Sequence, residues 1–183
     1  MKTLILVLAL AFLVACNGTG PTDDNSIPNS QSIIAGWQYV NWAWGYNHGA
    51  RYIDRDGNQL AVSYQLADSL WQLAAQEDLT IAQMNLLLSK AQHVSVTIPK
   101  DSVRAAAKLA RLSASGPYSD TSMVGADMGA NEWFGFVFNE DTKMYHRIML
   151  KVDGDWKFEN QSASAAKLVA IIENYRLIEA VAK

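Results

Sequence analysis

Glu132-Trp133-Phe134-Gly135-Phe136-Val137-Phe138, then Asn139-Glu140-Asp141-Thr142, then Lys143-Met144-Tyr145-His146-Arg147-Ile148-Met149-Leu150-Lys151-Val152 is the stretch whose period decides the fold. Phe134, Phe136 and Phe138 fall on one face of a strand, because successive side chains of a strand point to opposite sides. Four polar residues turn the chain. The next run alternates, with Met144, His146, Ile148, Leu150 and Val152 expected inward and Lys143, Tyr145, Arg147 and Lys151 outward. Asp153-Gly154 makes a tight turn into Trp156-Lys157-Phe158, completing a three-stranded antiparallel meander.

Downstream, the cap-like cluster Asn160-Gln161-Ser162 opens a helix that runs to near Ala182. Its stripe is Leu168, Ile171, Ile172, Tyr175 and Ile178. A meander with one apolar face followed by an amphipathic helix predicts that the helix lies across that face.

Upstream, Ala50 to Ile53 and Gln59 to Tyr64 form a hairpin around Asp54-Arg55-Asp56-Gly57-Asn58, with Leu60, Val62 and Tyr64 on one face. Asp-Gly with a neighbouring asparagine supplies the positive φ angles of a tight turn. Asp54-x-Asp56-x-Asn58 matches the opening of a calcium loop, but Gln59 and Gln65 stand where glycine and glutamate are needed, so the turn reading is preferred. From Leu66 the period lengthens to about 3.6, with Leu66, Leu70 and Leu73 as a helical stripe beside Trp71 and Ala74. Thr80 and Gln83 make a capping-box pattern for a second helix with Ile81, Met84, Leu87, Leu88 and Ala91 as its buried face. A β-branched run, 94–98, stops at Pro99, and a third helix covers roughly 101–113.

The predicted body, residues 33–183, is therefore a single α+β domain. It has an N-terminal β-hairpin region, central helices and a C-terminal antiparallel three-stranded meander packed by a C-terminal helix. Residues 114–131, rich in Ser, Gly and Asp, read as a long loop of the functional or disordered kind.

Two segments hold the candidate surface. Residues 33–46 begin apolar and turn aromatic; as one strand they would send Val40, Trp42, Trp44 and Tyr46 one way and Trp37, Tyr39, Asn41 and Ala43 the other. Tryptophan and tyrosine dominate binding interfaces and also stack on sugar rings. Trp42, Trp44, Tyr46, His48 and Arg51 are accordingly the candidate binding residues, weighed against the alternative that alternating aromatics are core and cross-strand pairs.

Residues 17–32 are polar, with two prolines and two glycines, and read as a flexible tether with an end-to-end distance on the order of 20–24 Å. Before it, residues 4–15 form an apolar run of about 18 Å as helix, short of a hydrocarbon core of about 30 Å. That length suits a cleavable signal peptide, residues 1–15. Leu13-Val14-Ala15-Cys16 resembles the lipobox of bacterial lipoproteins. The resemblance covers only the first twenty or so residues, and Cys16 is the chain's one cysteine. It implies that Cys16 becomes an acylated N-terminus, and several acyl chains would hold the protein at a membrane essentially permanently. Asn17 stands where an aspartate would signal inner-membrane retention. In a diderm bacterium this implies the outer membrane, facing the periplasm.

Removing residues 1–15 from the 183 leaves 168 residues, enough for one domain and too few for two. The chain has 15 basic and 18 acidic residues, and this mild acidity argues against nucleic acid or anionic lipid as partner, both of which favour a basic face. Six tryptophans and seven tyrosines point to an aromatic core, an aromatic surface or both. His48, His93 and His146 lie far apart, with His93 expected at a helix C-terminus and His146 in the core, so neither a metal nor a cofactor is expected. No Gly-x-Ser-x-Gly elbow or phosphate-cradling loop occurs. No catalytic residue is assigned.

The expected function is a membrane-anchored envelope lipoprotein acting as a non-enzymatic binding or inhibitor/immunity-type module for an envelope protein or peptidoglycan. Two alternatives stand beside it. One is an envelope hydrolase with a site between the first hairpin and the 114–131 loop, drawing on His48 and Asp127; the other is a structural or assembly lipoprotein.

Overall fold

A computed structural model describes residues 26–43 and 45–181, with the side chains of the last five outside the described set. The signal peptide, Cys16, most of the tether and Trp44 lie outside the described residues. The fold is mixed α+β and mostly sheet. In chain order the elements are β1 (Ile33–Asn41), β2 (Asn47–Asp54), β3 (Asn58–Tyr64), a 3-10 turn (Leu66–Asp68), α1 (Leu70–Ala74), β4 (Asp78–Thr80), α2 (Ile81–Leu87), β5 (Gln92–Thr97), α3 (Lys100–Ser113), β6 (Ser122–Met123), β7 (Ala130–Asn139), β8 (Met144–Gly154), β9 (Trp156–Glu159) and α4 (Ala163–Val181).

The hairpin region and the meander are one antiparallel sheet. Its order is β5-β3-β2-β1-β7-β8-β9-β6, with β4 also paired to β8. The junction is β1 against β7, where Trp37 faces Trp133 and Gln38 faces Glu132. Helices cover both faces. On one, α3 and α4 bury Val103, Ala106, Ala110, Leu168 and Ile172 against Ile34, Trp133, Ile148 and Leu150. On the other, α1 and α2 bury Leu70, Ala74, Met84 and Leu87 against Tyr52, Tyr64, Phe134, Phe136 and Tyr145.

Two-sided cover changes the reading of β8. Tyr145 and Arg147, expected outward, are buried at 1% and 7% exposure, because α1, α2 and β4 close over their face. His146, expected inward, is half-exposed, with Nδ1 2.8 Å from Asp78 and Nε2 3.6 Å from Glu77. His93 lies in β5 opposite Leu60 rather than at a helix end, because α2 stops at Leu87. Within α2, Met84 and Leu87 are buried as the stripe required, while Ile81 is exposed.

Local chemistry explains the ends of the elements. Asp54 closes the first hairpin by accepting the Asp56 and Asn58 amides on Oδ1 and the Asn58 side-chain amide on Oδ2. Gly57 sits there at φ 91°, a conformation that other residues avoid. Thr80 and Gln83 form the reciprocal capping box that starts α2. At Gly135 the missing side chain lets α3 and α4 approach the sheet: an added Cβ would fall 2.8 Å from Ala110 Cβ.

Residues 26–32, assigned to the tether by composition, are packed on the body. Gln31 is buried and donates from Nε2 to the Ile33 and Phe136 carbonyls. Ser30 O accepts from the Tyr145 hydroxyl, which also accepts the Ser32 amide. This docking places the entry to β1 at one end of the sheet, beside the β2–β3 and β7–β8 turns.

Candidate functional site

The strand expected over 33–46 ends at Asn41, whose Oδ1 accepts the Ala43 amide and turns the chain out of the sheet. Trp42 and Tyr46 therefore do not continue an alternating face. They fold toward each other, with ring centroids 4.7 Å apart. Trp71 of α1 meets Trp42 edge-on at 5.0 Å and Tyr46 at 6.3 Å. Its indole nitrogen donates to the Leu66 carbonyl, which fixes the ring.

Beneath this corner runs a chain of polar side chains across four strands. Glu132 only accepts, so the amide nitrogen of Gln38 faces it, at 2.7 Å. The Gln38 oxygen is left to accept from His48 Nε2, at 3.1 Å. His48 Nδ1 is then the bare nitrogen, and it accepts the Tyr46 hydroxyl proton at 2.8 Å. At the far end Arg147 donates from Nη2 to Glu132 and from Nη1 to the Ala74 carbonyl, with its guanidinium 4.1 Å above the Phe134 ring.

Gln38, His48 and Arg147 are all buried. Burial, then the charge of Arg147, pushes the His48 pKa down to about 4. Burial, then Asp68, pushes the Tyr46 phenol up to about 12. Both groups are neutral at physiological pH, so the network positions Tyr46 and carries no mobile charge there.

Of the five candidate binding residues, Trp42, Tyr46 and His48 come together, with His48 as buried support rather than contact surface. Arg51 points to the opposite face of the sheet. There it lines a shallow groove of about 430 Å³ with Trp37, Tyr39, Ser63 and Lys90. Trp44 lies outside the described residues. Asp127 reaches this end of the fold through its carbonyl, which accepts from Asn41 Nδ2 at 3.4 Å, but both His48 nitrogens are engaged with Tyr46 and Gln38. Among the described residues no group of three His, Cys, Asp or Glu converges as metal ligands would.

Sequence reading missed Trp71, Gln38, Glu132 and Arg147. A polar residue inside an apolar alternation, as at Gln38, was the available signal. It also missed a wider feature. Strand registers put Asn41, Asn47, Tyr64, Ala130, Gly154 and Trp156 at one end of the sheet. The same end gathers Trp42, Leu66, Met123, Val124, Met128 and Trp156, each more than half exposed. Met123 pairs with Trp156, and the loop is held by Asp155, which accepts the Met128 and Gly129 amides, and by Tyr39, which donates to the Met128 carbonyl. At about 4.8 Å per strand, the rim from β3 to β9 spans about 24 Å.

No known protein family, curated protein or solved structure matches the chain.

Proposed function

We propose that this protein is a lipid-anchored, non-enzymatic binding module of a bacterial envelope that engages a protein partner through the apolar rim. One observation carries the reading: six large apolar side chains stand exposed together at a single sheet end. Monomeric soluble proteins rarely expose contiguous apolar patches beyond a few hundred Å², and larger ones mark interaction sites. The rim is also rigidly supported, since Tyr46 is tied to His48 and the Met128 loop to Asp155.

Its direction supports a protein partner over the anchoring membrane. Residues 26–32 join β1 at the opposite end, so a chain held through Cys16 enters the body from the far side. Its ring geometry supports protein over glycan. Trp42, Tyr46 and Trp71 meet at tilts of 53° to 80° and offer no shared flat face for a sugar. Such a knob fits a cleft on a partner, as an inhibitor-type module would.

The test uses full-length protein and envelope extract. Cys16→Ser should abolish incorporation of labelled palmitate. Capture of one defined partner should be lost in Trp42→Ala and Trp156→Ala yet kept in Leu112→Ala, which alters an exposed apolar residue of α3. Binding of muropeptides in place of protein, or equal capture by all three variants, would overturn the reading.

A further inference from the structure

The outer edge of β8 is interrupted. β4 pairs with its residues 144–146, and β9 pairs with Lys151 and Val152. Between them lies a cleft of about 460 Å³ lined by Glu77, Tyr118, Thr121, Arg147, Met149 and Phe158, among others. That is within the size range of small-ligand sites, about 300–1,000 Å³.

Three features give the cleft a chemistry. Arg147, whose side chain is only 6% exposed, lines it, and its Nε, buried within the protein, has no hydrogen-bond partner. An unmet buried donor is costly, so an acceptor placed here gains more than at an exposed site. Strand alternation turns the backbone of Arg147 and Met149 toward the same cleft. Two of those groups are engaged: the Arg147 amide donates to the Glu77 carbonyl, and the Met149 carbonyl accepts from the Tyr118 hydroxyl. The same alternation sets the Arg147 carbonyl and the Met149 amide on this side, one acceptor and one donor. Met149, Phe158 and the Tyr118 ring, 6.1 Å from Phe158, supply apolar walls.

We propose that this cleft binds a short, uncharged peptide segment in extended form, inserted between β4 and β9. The Arg147 charge is already answered by Glu132 at 2.8 Å. This disfavours an anion and favours a neutral amide carbonyl on Nε. The gap in this edge runs from His146, paired to β4, to Leu150, whose carbonyl accepts the Asn160 amide; its three residues span about 10 Å at 3.3 Å per residue, which suits a guest of about three residues. The cleft lies apart from the apolar rim, although Arg147 also ends the polar chain beneath the aromatic corner.

The test titrates the full chain with N-acetyl-trialanine N-methylamide and follows the Arg147 Nε–H and Met149 methyl signals by NMR. Both should shift and saturate together. Thr121→Trp, at an exposed position on the mouth, should weaken binding by about tenfold or more without altering the fold. Trp42→Ala should bind as wild type does. Absence of shifts at these two groups, shifts confined to the Trp42 and Trp71 indoles, or undiminished binding by Thr121→Trp would each overturn the proposal. Equal binding of acetyl-trialanine with a free carboxylate would overturn the uncharged specificity.

Discussion

Tyr46 donates its phenolic proton to Nδ1 of His48 across 2.8 Å, joining a ring at the surface to a buried polar chain. Because His48 Nε2 is spent on Gln38, the imidazole has one tautomer that satisfies both neighbours. A second proton would reverse that bond, with Nδ1–H donating to the Tyr46 oxygen, and would set a charge in a buried place near Arg147. The aromatic corner is thus held from below by a group that burial keeps neutral.

Acid should test that arrangement. The His48 pKa falls from 6.5 to about 4 on folding. The unfolded chain therefore takes up the proton first as pH drops. The contribution of the neutral imidazole is complete above pH 6.5 and is lost progressively as pH falls toward 4. Allowing for solvent near the Tyr46 side, the loss between pH 7 and pH 4.5 is on the order of 2 kcal/mol. Urea midpoints of wild type and His48→Gln across this range give the measurement. Wild type should lose stability faster, and parallel curves would remove His48 as the cause.

Glu132 answers the Arg147 charge and also accepts from Gln38. Glu132→Ala should cost about 3 kcal/mol, because it leaves a buried guanidinium uncompensated. Glu132→Met with Arg147→Met should recover much of that loss, since an apolar pair leaves no charge behind. Chemical denaturation of the single and double variants checks this; a double variant no better than Glu132→Ala would refute it.

Gly135 admits α3 and α4 to the sheet. Gly135→Ala would set a methyl 2.8 Å from Ala110 Cβ and 3.2 Å from Leu168 Cδ2. Overpacking of this kind costs about 1–3 kcal/mol. Thermal unfolding should show the loss, and Gly135→Ala combined with Ala110→Gly should restore part of it.

Thr80 caps α2 by accepting the Gln83 amide at 3.2 Å, while Gln83 Oε1 accepts the Thr80 amide at 2.8 Å. Thr80→Ala should cost about 1 kcal/mol and Thr80→Ser much less. Hydrogen exchange at 81–84 reads the effect locally, and unchanged protection in Thr80→Ala would show that the cap is redundant.

Local chemistry accounts for what could be read from the residues in line. The β7–β8–β9 meander, the Asp54–Asn58 hairpin turn and the Thr80–Gln83 cap depend on period, turn residues and groups three or four positions apart. All of these are written in adjacent sequence. Tertiary structure alone decided which face of each strand was covered. Alternation shows that β8 has two faces, but α1 and α2 had to fold over one of them to bury Tyr145 and Arg147 and leave His146 at the edge. It also decided that Trp42 meets Trp71, that Gln38 lies opposite Glu132, and that Met128 and Trp156 share an end with Trp42. These partners lie tens of residues apart, and β1 beside β7 brings them together. Period sets the direction of a side chain, whereas its neighbour is set by the packing of the whole sheet.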